Sequence, residues 1–539
     1  MPSSAMTDPS TDPAAFLAAP LGEPGSGRVR YGAAMELFRN GAISEAQLDA
    51  YRDASPHDGR RPDLSNHPLL TETEIMFKHS KAQADTTALG PDFVFGVATA
   101  AYQIEGAVHE GGRGVSIWDT FSHTEGKTLH GDTGDIACDH YHRWAEDLDL
   151  MQSLGLQAYR LNFSWVRLQP TGEGPLNPEG VKFYRDILQG CLDRGIRPFV
   201  TIYHWDLPQA LQDKGGWPAR ETAFRFAEYS ALLIDAFADL AADWITINEA
   251  WCVAFLGHSW GMQAPGLKDD KLAIRAAHHT LLAHGLALAE FRKKAPQLRV
   301  GITNIHGNVS AKTDSPADLA AAAELDVRMN KLFLEPLYKG AYSEDVIAVF
   351  EADGLNAGEI EGALVQPGDL AIISAPNDFV GVNHYHNMVA SAQPAAPNGI
   401  GMDQAEPNEQ SSWNWPNTPY AIGNIVRRIN RDYSDLPIYI TENGICLSDY
   451  ANPEGQVNDP HRIDYLNGYI QAIADAAKDG VPMAGYMAWS FMDNFEWAEG
   501  YNMRFGLVYV DYPTQKRIPK QSAYWYRDLI NEHKKKAAK

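Results

Sequence analysis

The sequence predicts an α/β protein folded as a (β/α)8 TIM barrel, and three observations support this prediction. Short apolar runs rich in β-branched residues alternate with amphipathic stretches from residue 92 onward, which is typical of repeated βα units. Eight such runs are present, and eight parallel strands close a barrel. The 539 residues exceed the usual size of one domain, but α/β barrels often reach great lengths as a single unit.

Each strand is predicted from a short run that is separated from the next run by enough residues for a crossover helix. In chain order the runs are FVFGVA from Phe93, AYRLNF from Ala158, PFVTIY from Pro198, DWITIN from Asp243, RVGITN from Arg299, DFVGVN from Asp378, PIYIT from Pro437 and GYMAWS from Gly485. There are eight runs, which is the number of strands that closes a TIM barrel.

The segments between the strands carry apolar residues at helical spacing. Trp144, Leu148, Met151 and Leu154 form one such stripe, and Gly155 supplies a C-terminal stop before the next strand. We interpret the stripes as helix faces that pack against the barrel. A second stripe with the same spacing consists of Phe226, Tyr229, Leu233, Phe237 and Leu240.

Composition divides the chain into three parts. Residues 1–90 are rich in Pro, Ser, Asp and Gly, and we predict a partly disordered N-terminal extension of unassigned function with one helix over residues 33–51. Residues 91–530 are predicted to form a single catalytic barrel. Residues 531–539 form a basic tail, which we interpret as the solvated end of a helix.

The formal charge of −24 bounds the kind of partner that this protein binds. Nucleic acids and anionic membranes would be repelled, so a neutral small molecule is expected instead. The four cysteines form no CxxC pair, and the sequence shows neither a signal peptide nor a run of membrane-spanning length. We therefore expect a cytoplasmic protein that binds neither membrane nor nucleic acid, and the sequence leaves its oligomeric state open.

Polar or aromatic residues end seven of the eight predicted strands, which is the edge where a barrel builds its active site. Taken singly, each has a simpler explanation as a helix cap, a core residue or a solvated side chain. Together they converge on one axial pocket. They are Gln103, Arg160, Asn162, His204, Trp205, Asn248, Glu249, Asn383, His384, Tyr385, Glu442, Asn443 and Trp489.

Two of these residues, Glu249 and Glu442, are carboxylates on strands four and seven. Glycoside hydrolysis needs one protonated carboxyl to assist the leaving oxygen and one ionised carboxylate to attack the anomeric carbon. We expect Arg160 and Tyr385 to hold the pKa of Glu442 low. Apolar surroundings from Trp205 and Trp251 are expected to keep Glu249 protonated.

Several motifs in this order resemble glycoside hydrolase family 1, the β-glucosidase family, over about residues 93–527. The residues that carry the resemblance are FVFGVATAAYQIEGA, DHYHRWAEDLDLM, YRLNFSW, HWDLPQAL, TINEA, VNHY, ITENG and AWSFMDNFEWAEGYNMRFGLVYVD. The resemblance implies a retaining β-glucosidase that needs neither cofactor nor metal. Since related thioglucosidases carry Gln at the acid/base position, Glu249 implies O-glycosides as substrates.

The resemblance also assigns roles to individual residues. It implies that Glu249 in TINEA is the acid/base, that Glu442 in ITENG is the nucleophile, and that Arg160 and Trp205 support them. The implied sugar-binding residues are Gln103, His204, Asn248, Asn383, Tyr385, Trp489, Glu496 and Trp497.

The chain departs from the family pattern in three places. Ala250 follows the acid/base position where Pro is usual, and His384 stands where Tyr is common. Residues 1–90 have no counterpart in the family. Phospho-specific members carry Ser near position 496 and a Lys and a Tyr further on, where this chain has Glu496, Met503 and Phe505.

Alternative functions are weighed against the same residues. A sugar-binding barrel without catalysis would usually lack one carboxylate, and β-galactosidase, β-fucosidase or broad aryl β-glycosidase activity is compatible with the site. The aglycone preference is set by loops such as residues 391–419, where Trp413 and Trp415 can form a stacking wall. A metallohydrolase would draw on histidines whose spacing lacks a matching carboxylate set. These histidines are His140, His142, His278, His279 and His284.

Overall fold

Eight parallel strands form a closed barrel in the computed structural model, which describes residues 83–403 and 411–537. Strands adjacent in the chain are adjacent in space, and β8 pairs with β1 to close the barrel. All eight predicted strands are confirmed. They are β1 (Val94–Ala98), β2 (Ala158–Asn162), β3 (Arg197–Tyr203), β4 (Asp243–Asn248), β5 (Arg299–Ile305), β6 (Phe379–Asn383), β7 (Ile438–Asn443) and β8 (Met483–Trp489).

Helices connect the strands and bury the predicted apolar stripes. Leu148 and Met151 are fully buried in the first helix, as are Phe226 and Leu233 in the third. The longer helices are His140–Ser153, Pro178–Asp193, Glu221–Phe237, Asp270–Lys294, Pro316–Asp326, Leu332–Tyr338, Glu344–Ala352, Tyr420–Asp432, Pro460–Lys478 and Gln521–Ala537. Shorter helical segments are Thr86–Leu89, Ala101–Ile104, Ile117–Ser122, Leu129–Gly131, Trp165–Leu168, Gln209–Gln212, Cys252–Ser259, Val327–Lys331, Ala357–Ile360, Asp369–Ile373, Pro397–Gly399 and Trp497–Glu499.

Two small sheets lie outside the barrel. Strands Asn308–Ala311, Asn387–Ala392 and Ile400–Asp403 form one, and strands Val508–Asp511 and Lys516–Pro519 form an antiparallel pair. In the first sheet, residues from the segment after β5 pair with residues from the segment after β6. This sheet therefore ties together two of the loops that follow the carboxyl ends of the strands.

Local sequence explains where several helices begin. The Asn177 side chain accepts a hydrogen bond from the Glu179 amide, and Pro178 occupies the first helical turn, where its missing N–H costs nothing. Ser315 and Pro316 start a later helix in the same way. Residues 531–537 of the predicted basic tail form the end of the helix Gln521–Ala537. The predicted helix over residues 33–51 lies outside the described residues.

Pairing becomes irregular at the ends of the two strands that carry the candidate carboxylates. The register shifts between Ile245 and Asn248 on β4, and between Ile440 and Glu442 on β7. Such irregularities redirect side chains and are common beside active sites. Across residues 83–403 and 411–537, no helix combines the length and the apolar character that crossing a membrane requires.

Candidate active site

Glu442 lies at the end of β7 and is 3% exposed. Arg160 donates from Nη1 to Oε1 at 2.6 Å, and the Tyr385 hydroxyl donates to Oε2 at 2.6 Å. Burial raises the pKa of Glu442, while the charge of Arg160 and the hydroxyl of Tyr385 oppose that rise. The two expected donors are therefore present, but they offset the effect of burial and do not bring the pKa below its ordinary value.

Glu249 follows β4 and is 4% exposed. Asn383 donates from Nδ2 to Oε1 at 2.6 Å, and the Cys252 sulfur lies 3.1 Å from Oε2. Burial, and then the negative charge of Glu442, raises the pKa of Glu249 to about 8. Because Glu442 has a direct ion pair with Arg160 whereas the bonds to Glu249 come from an amide and a thiol, Glu249 is the carboxyl that keeps its proton to higher pH.

The two tryptophans that were expected near Glu249, Trp205 and Trp251, are both buried. Trp205 lies 4.7 Å from Trp497 between ring centroids and donates to the backbone oxygen of Asn248 at 3.0 Å. Trp251 packs edge-to-face on Trp260. The polar contacts of the Glu249 carboxyl come from Asn383 and Cys252.

Arg160, on β2, binds side-chain oxygens and one backbone oxygen, that of Thr441, on three other strands. It donates from Nε to Thr201 on β3, from Nη2 to Asn248 on β4, and from Nη1 to Thr441 and Glu442 on β7. The guanidinium group is rigid and planar, so these bonds set the relative positions of the strand ends. Arg160 is itself 1% exposed, and water does not compete for its donors.

The backbone around the site adopts conformations that are rare for residues with side chains. Glu249, Trp205 and Trp497 have φ angles of 51°, 76° and 52°, in the left-handed region. Position 444, the glycine of ITENG, must be glycine for a steric reason. A Cβ atom there would lie 1.8 Å from the backbone oxygen of Trp489. Only glycine permits this approach between the ends of β7 and β8.

The predicted sugar-binding residues at the far side of the pocket also contact one another. Gln103 donates from Nε2 to Glu496 Oε2 at 3.2 Å and to Asn494 Oδ1 at 3.0 Å. His204 Nε2 pairs with Asn248 Nδ2 at 3.1 Å. Burial, and then the charge of Arg160, lowers the pKa of His204 well below its usual value, so its ring is neutral near pH 7. Gln103 Oε1 and His204 Nδ1 have no protein partner among the described residues.

Aromatic rings line the same side of the pocket. Trp489 and Trp497 both stack on His204 with centroids 6.0 Å apart, and Trp497 also stacks on Tyr102 at 6.2 Å. Flat apolar faces beside hydrogen-bonding groups suit a sugar ring, whose C–H face packs on an aromatic plane. The structure thus brings the two carboxylates, Arg160 and the sugar-binding residues implied by the resemblance into one cluster, whereas Asn162, His384 and Asn443 make their hydrogen bonds to other residues.

A second aromatic group includes the predicted entrance residues. Trp413 and Trp415 pack with centroids 4.6 Å apart. Trp415 contacts Tyr385 at 5.4 Å, and both tryptophans contact Phe505 at about 6 Å. Since Tyr385 binds Glu442, this group lies close to the reacting centre.

The two substitutions relative to the family pattern have defined places. The Ala250 amide donates to Asn304 Oδ1 at 3.2 Å, a bond that proline could not make. The His384 ring pairs through Nδ1 with the backbone oxygen of His306 at 2.8 Å. Along β6 and beyond it, Asn383 and Tyr385 contact the carboxylates, whereas His384 contacts the backbone of His306.

The histidines that prompted the metallohydrolase alternative each have a protein partner. Examples are His140, which pairs with Asp147 at 2.7 Å, and His278, which pairs with Asp369 at 3.0 Å. Within the part of the chain that the structure describes, no cluster of three or more His, Cys, Asp or Glu side chains is arranged to hold a metal ion. The site histidine His204 pairs with an amide.

Two contributors to the site were missed by the sequence analysis. Cys252 contacts Glu249, and no sequence pattern signalled this contact, because Glu249 precedes the helical segment with a left-handed backbone. Asn494 orients Gln103 and is itself held by Ser490 at 3.1 Å. Its only signal was its place in the FMDNFEWAEGY motif.

A barrel that joins two interacting buried carboxyls to a cluster of rings and hydroxyl-binding groups defines the class of glycoside hydrolases. The chain matches the model of glycosyl hydrolase family 1 over residues 86–535. The chain therefore belongs to this family and is an O-glycosyl hydrolase, as the motifs predict.

Individual relatives agree with this assignment. The chain is 44% identical to beta-glucosidase A of Thermotoga maritima over 442 residues, which cover 82% of this chain and 97% of that protein. It is 42% identical to a bifunctional beta-D-glucosidase/beta-D-fucosidase of Bifidobacterium breve, with 82% and 98% covered. The solved structure of the family 1 β-glucosidase from Thermotoga maritima matches with a TM-score of 0.78 at 43% identity, covering 82% of this chain and 98% of that one.

Proposed function

We propose that this enzyme is a retaining β-glucosidase that removes terminal non-reducing β-D-glucosyl residues from O-glycosides by double displacement. Glu442 is the nucleophile, and Glu249 is the general acid/base. The observation that carries the proposal is the contrast between the carboxyls: Glu442 has a cation at 2.6 Å, whereas the bonds to Glu249 come from an amide and a thiol. The relatives from Thermotoga maritima and Bifidobacterium breve are named as β-glucosidases, which supports glucosides as substrates.

In the first step, Glu442 attacks the anomeric carbon while the proton of Glu249 moves to the glycosidic oxygen. The glycosidic bond breaks, the aglycone leaves as an alcohol, and an ester joins Glu442 to the sugar. Arg160 and Tyr385 each hold one oxygen of Glu442, which fixes the direction of attack.

In the second step, Glu249 acts as a base. Once Glu442 is an ester, its negative charge no longer raises the pKa of Glu249, and the carboxyl ionises. Glu249 then takes a proton from water, the oxygen of which attacks the anomeric carbon and releases Glu442. Two inversions leave the product in the β-configuration, which proton NMR of the first-formed glucose tests directly.

The sugar occupies the cluster on the far side of the pocket. Glu496 and Gln103 bind the 4- and 6-hydroxyls, and His204 and Asn248 bind the 3- and 2-hydroxyls. Unpaired polar atoms on Gln103 and His204 support this placement. The sugar ring lies on Trp489, and Asn383, Tyr385 and Trp497 complete the binding residues.

The aglycone lies against the wall formed by Trp413 and Trp415. This wall accepts flat apolar groups of many kinds, which suits aryl aglycones. Activity on aryl fucosides and aryl galactosides is an alternative specificity. A panel of 4-nitrophenyl glycosides and alkyl glucosides separates these possibilities. We also propose a cytoplasmic location, which the four buried free thiols support.

The pH dependence of kcat/KM is expected to be bell-shaped. Glu249 must carry its proton, and its pKa is about 8, so activity is lost as the pH rises through that value. Glu442 must be ionised, so activity is lost on the acid side as it takes up a proton. Glu249→Gln should remove the alkaline limb and leave the acid limb in place. An unchanged alkaline limb in this variant would show that another group titrates.

The enzyme is expected to discriminate against 6-phosphosugars. A phosphate beside the carboxyl of Glu496 must either meet a like charge or bind together with a proton on Glu496. Burial, and then the charge of Glu442, raises the pKa of this carboxyl. Arg504 is the nearest cation in sequence, but it donates to Asp493 at 2.7 Å and lies 4.1 Å from the ring of Tyr509. We expect kcat/KM for 4-nitrophenyl β-glucoside to exceed that for its 6-phosphate on the order of 10³-fold.

Glu496→Ser tests the cause of this discrimination. The variant should lose much of its activity on the glucoside. The ratio of kcat/KM for the glucoside to kcat/KM for its 6-phosphate should fall at least about tenfold. Glu499→Ser is a matched control, because it removes a carboxylate from the same segment without touching Gln103. Wild-type enzyme that turns over the phosphate equally well would contradict the placement of Glu496.

A further inference from the structure

Cys252 is a buried thiol in direct contact with Glu249. It lies at the start of the segment Cys252–Ser259, is 5% exposed, and places its sulfur 3.1 Å from Glu249 Oε2. Burial, and then the charge of Glu249, raises the pKa of the thiol well above its usual value. The sulfur therefore keeps its proton throughout the working pH range.

The two oxygens of Glu249 have partners of different kinds. Oε1 accepts from Nδ2 of Asn383, and an amide nitrogen can only donate. Asn383 is held in this orientation because Nδ2 also donates at 3.1 Å to Asn248 Oδ1, an oxygen that accepts from Arg160 as well. Oε2 instead faces the thiol of Cys252, which can donate a hydrogen bond or accept one.

Glu249 needs such a partner because its protonation changes within one catalytic cycle. We propose that Cys252 is a positioning residue that serves both forms of Glu249, accepting a hydrogen bond from the protonated carboxyl and donating one to the carboxylate. In both forms the thiol neither gains nor loses a proton. This inference rests on the proposed role of Glu249 as the acid/base.

The thiol favours the ionised form of Glu249 over the protonated one. A hydrogen bond to a charged acceptor is stronger than one to a neutral acceptor, so the S–H group stabilises the carboxylate that acts on water in the second step. The other ionisable groups that act on Glu249 through charge are Glu442, Arg160, Tyr385 and Glu496. None of these can be removed without disturbing Glu442 or the sugar site, whereas Cys252 contacts neither directly.

The space around the sulfur limits what else can take over its role. Cys252 lines an internal cavity of about 10 Å³ together with His258, Tyr203, Trp205 and Val253. Such a volume holds at most about one water molecule. Removal of the sulfur adds room for one water beside Glu249, so an apolar side chain larger than alanine is the stricter test of the thiol.

Cys252→Ala and Cys252→Ser test the proposal in the full-length enzyme. In Cys252→Ala, the alkaline limb of kcat/KM should move up by about 0.5–1 pH unit, because the carboxylate has lost a donor. With 2,4-dinitrophenyl β-glucoside, where loss of the sugar from Glu442 limits turnover, kcat should fall about 3–10-fold, while kcat/KM changes less than about twofold. Cys252→Ser should keep the alkaline limb near its wild-type position, since a hydroxyl also donates and accepts.

Cys191→Ala is the matched control, because it removes another fully buried thiol that lies in the helix Pro178–Asp193. It should leave both the alkaline limb and the kcat on the dinitrophenyl substrate unchanged. An alkaline limb in Cys252→Ala that coincides with the wild type would overturn the proposal, as would a serine variant that behaves like alanine. If Cys252→Ala does not fold, Cys252→Val, which also lacks a hydrogen-bonding group, replaces it with the same expectations. Failure of the acid/base assignment itself is detected separately, by an alkaline limb that persists in Glu249→Gln.

Discussion

Glu442→Ala is expected to lower kcat by about 10⁵-fold or more, because no other group can form the ester with the sugar. Azide should restore turnover of 2,4-dinitrophenyl β-glucoside, since it fits the space that the carboxylate leaves. Azide then attacks directly from the face that Glu442 occupies, and the product is α-glucosyl azide. Proton NMR of the azide adduct identifies its anomeric configuration.

Loss of the Glu442 carboxylate also leaves a buried cation, so the fold of the variant needs its own check. Arg160 loses its charged partner at 2.6 Å, which destabilises buried pairs by about 3–5 kcal/mol. Glu442→Gln keeps an acceptor for Arg160 and for the Tyr385 hydroxyl, and it should recover stability in thermal unfolding while remaining inactive. Azide should not rescue this variant, because the amide fills the space. A β-configured azide from Glu442→Ala would assign the nucleophile elsewhere.

Glu249→Ala is expected to divide substrates by their leaving groups. Alkyl and phenyl glucosides need the proton and should lose about 10²–10⁴-fold in kcat/KM, whereas 2,4-dinitrophenyl glucoside should keep most of its kcat/KM. With 2,4-dinitrophenyl glucoside, the kcat and the KM of Glu249→Ala should fall together, because the ester accumulates when no base activates water. Azide should accelerate this second step and yield β-glucosyl azide.

Glu249→Gln is the control that preserves shape. Its side-chain oxygen still accepts from Asn383, so the local packing and the position of Cys252 are retained. It should show the same dependence on the leaving group as the alanine variant, with less response to azide. If all leaving groups lost activity equally in both variants, Glu249 would act in binding and not in proton transfer.

The barrel and the residues at its strand ends could be predicted because both depend on local patterns. Each strand is a short run of residues that pack on a barrel wall, and the polar residue that follows each run must face the axial pocket. Arg160 and Tyr385 were expected beside Glu442, and the structure places them there. The sheet formed by Asn308–Ala311 and Asn387–Ala392 was not predicted, since it joins segments far apart in the chain.

The electrostatic balance of the site lay beyond the sequence for a physical reason. Whether Arg160 or burial dominates the pKa of Glu442 depends on how completely the whole barrel excludes water. The contact between Cys252 and Glu249 depends on the left-handed backbone of Glu249, which no residue preference indicates.

The hydrogen bonds of Arg160 and the wall of Trp413 and Trp415 belong to different parts of the molecule. One guanidinium group joins Thr201, Asn248, Thr441 and Glu442. The position of the Glu442 carboxylate is therefore set by residues on the barrel strands. The wall of Trp413 and Trp415 belongs to a loop that carries none of these bonds. Substitutions at Trp413 and Trp415 are therefore expected to change which aglycones are accepted without altering the bonds that hold Glu442.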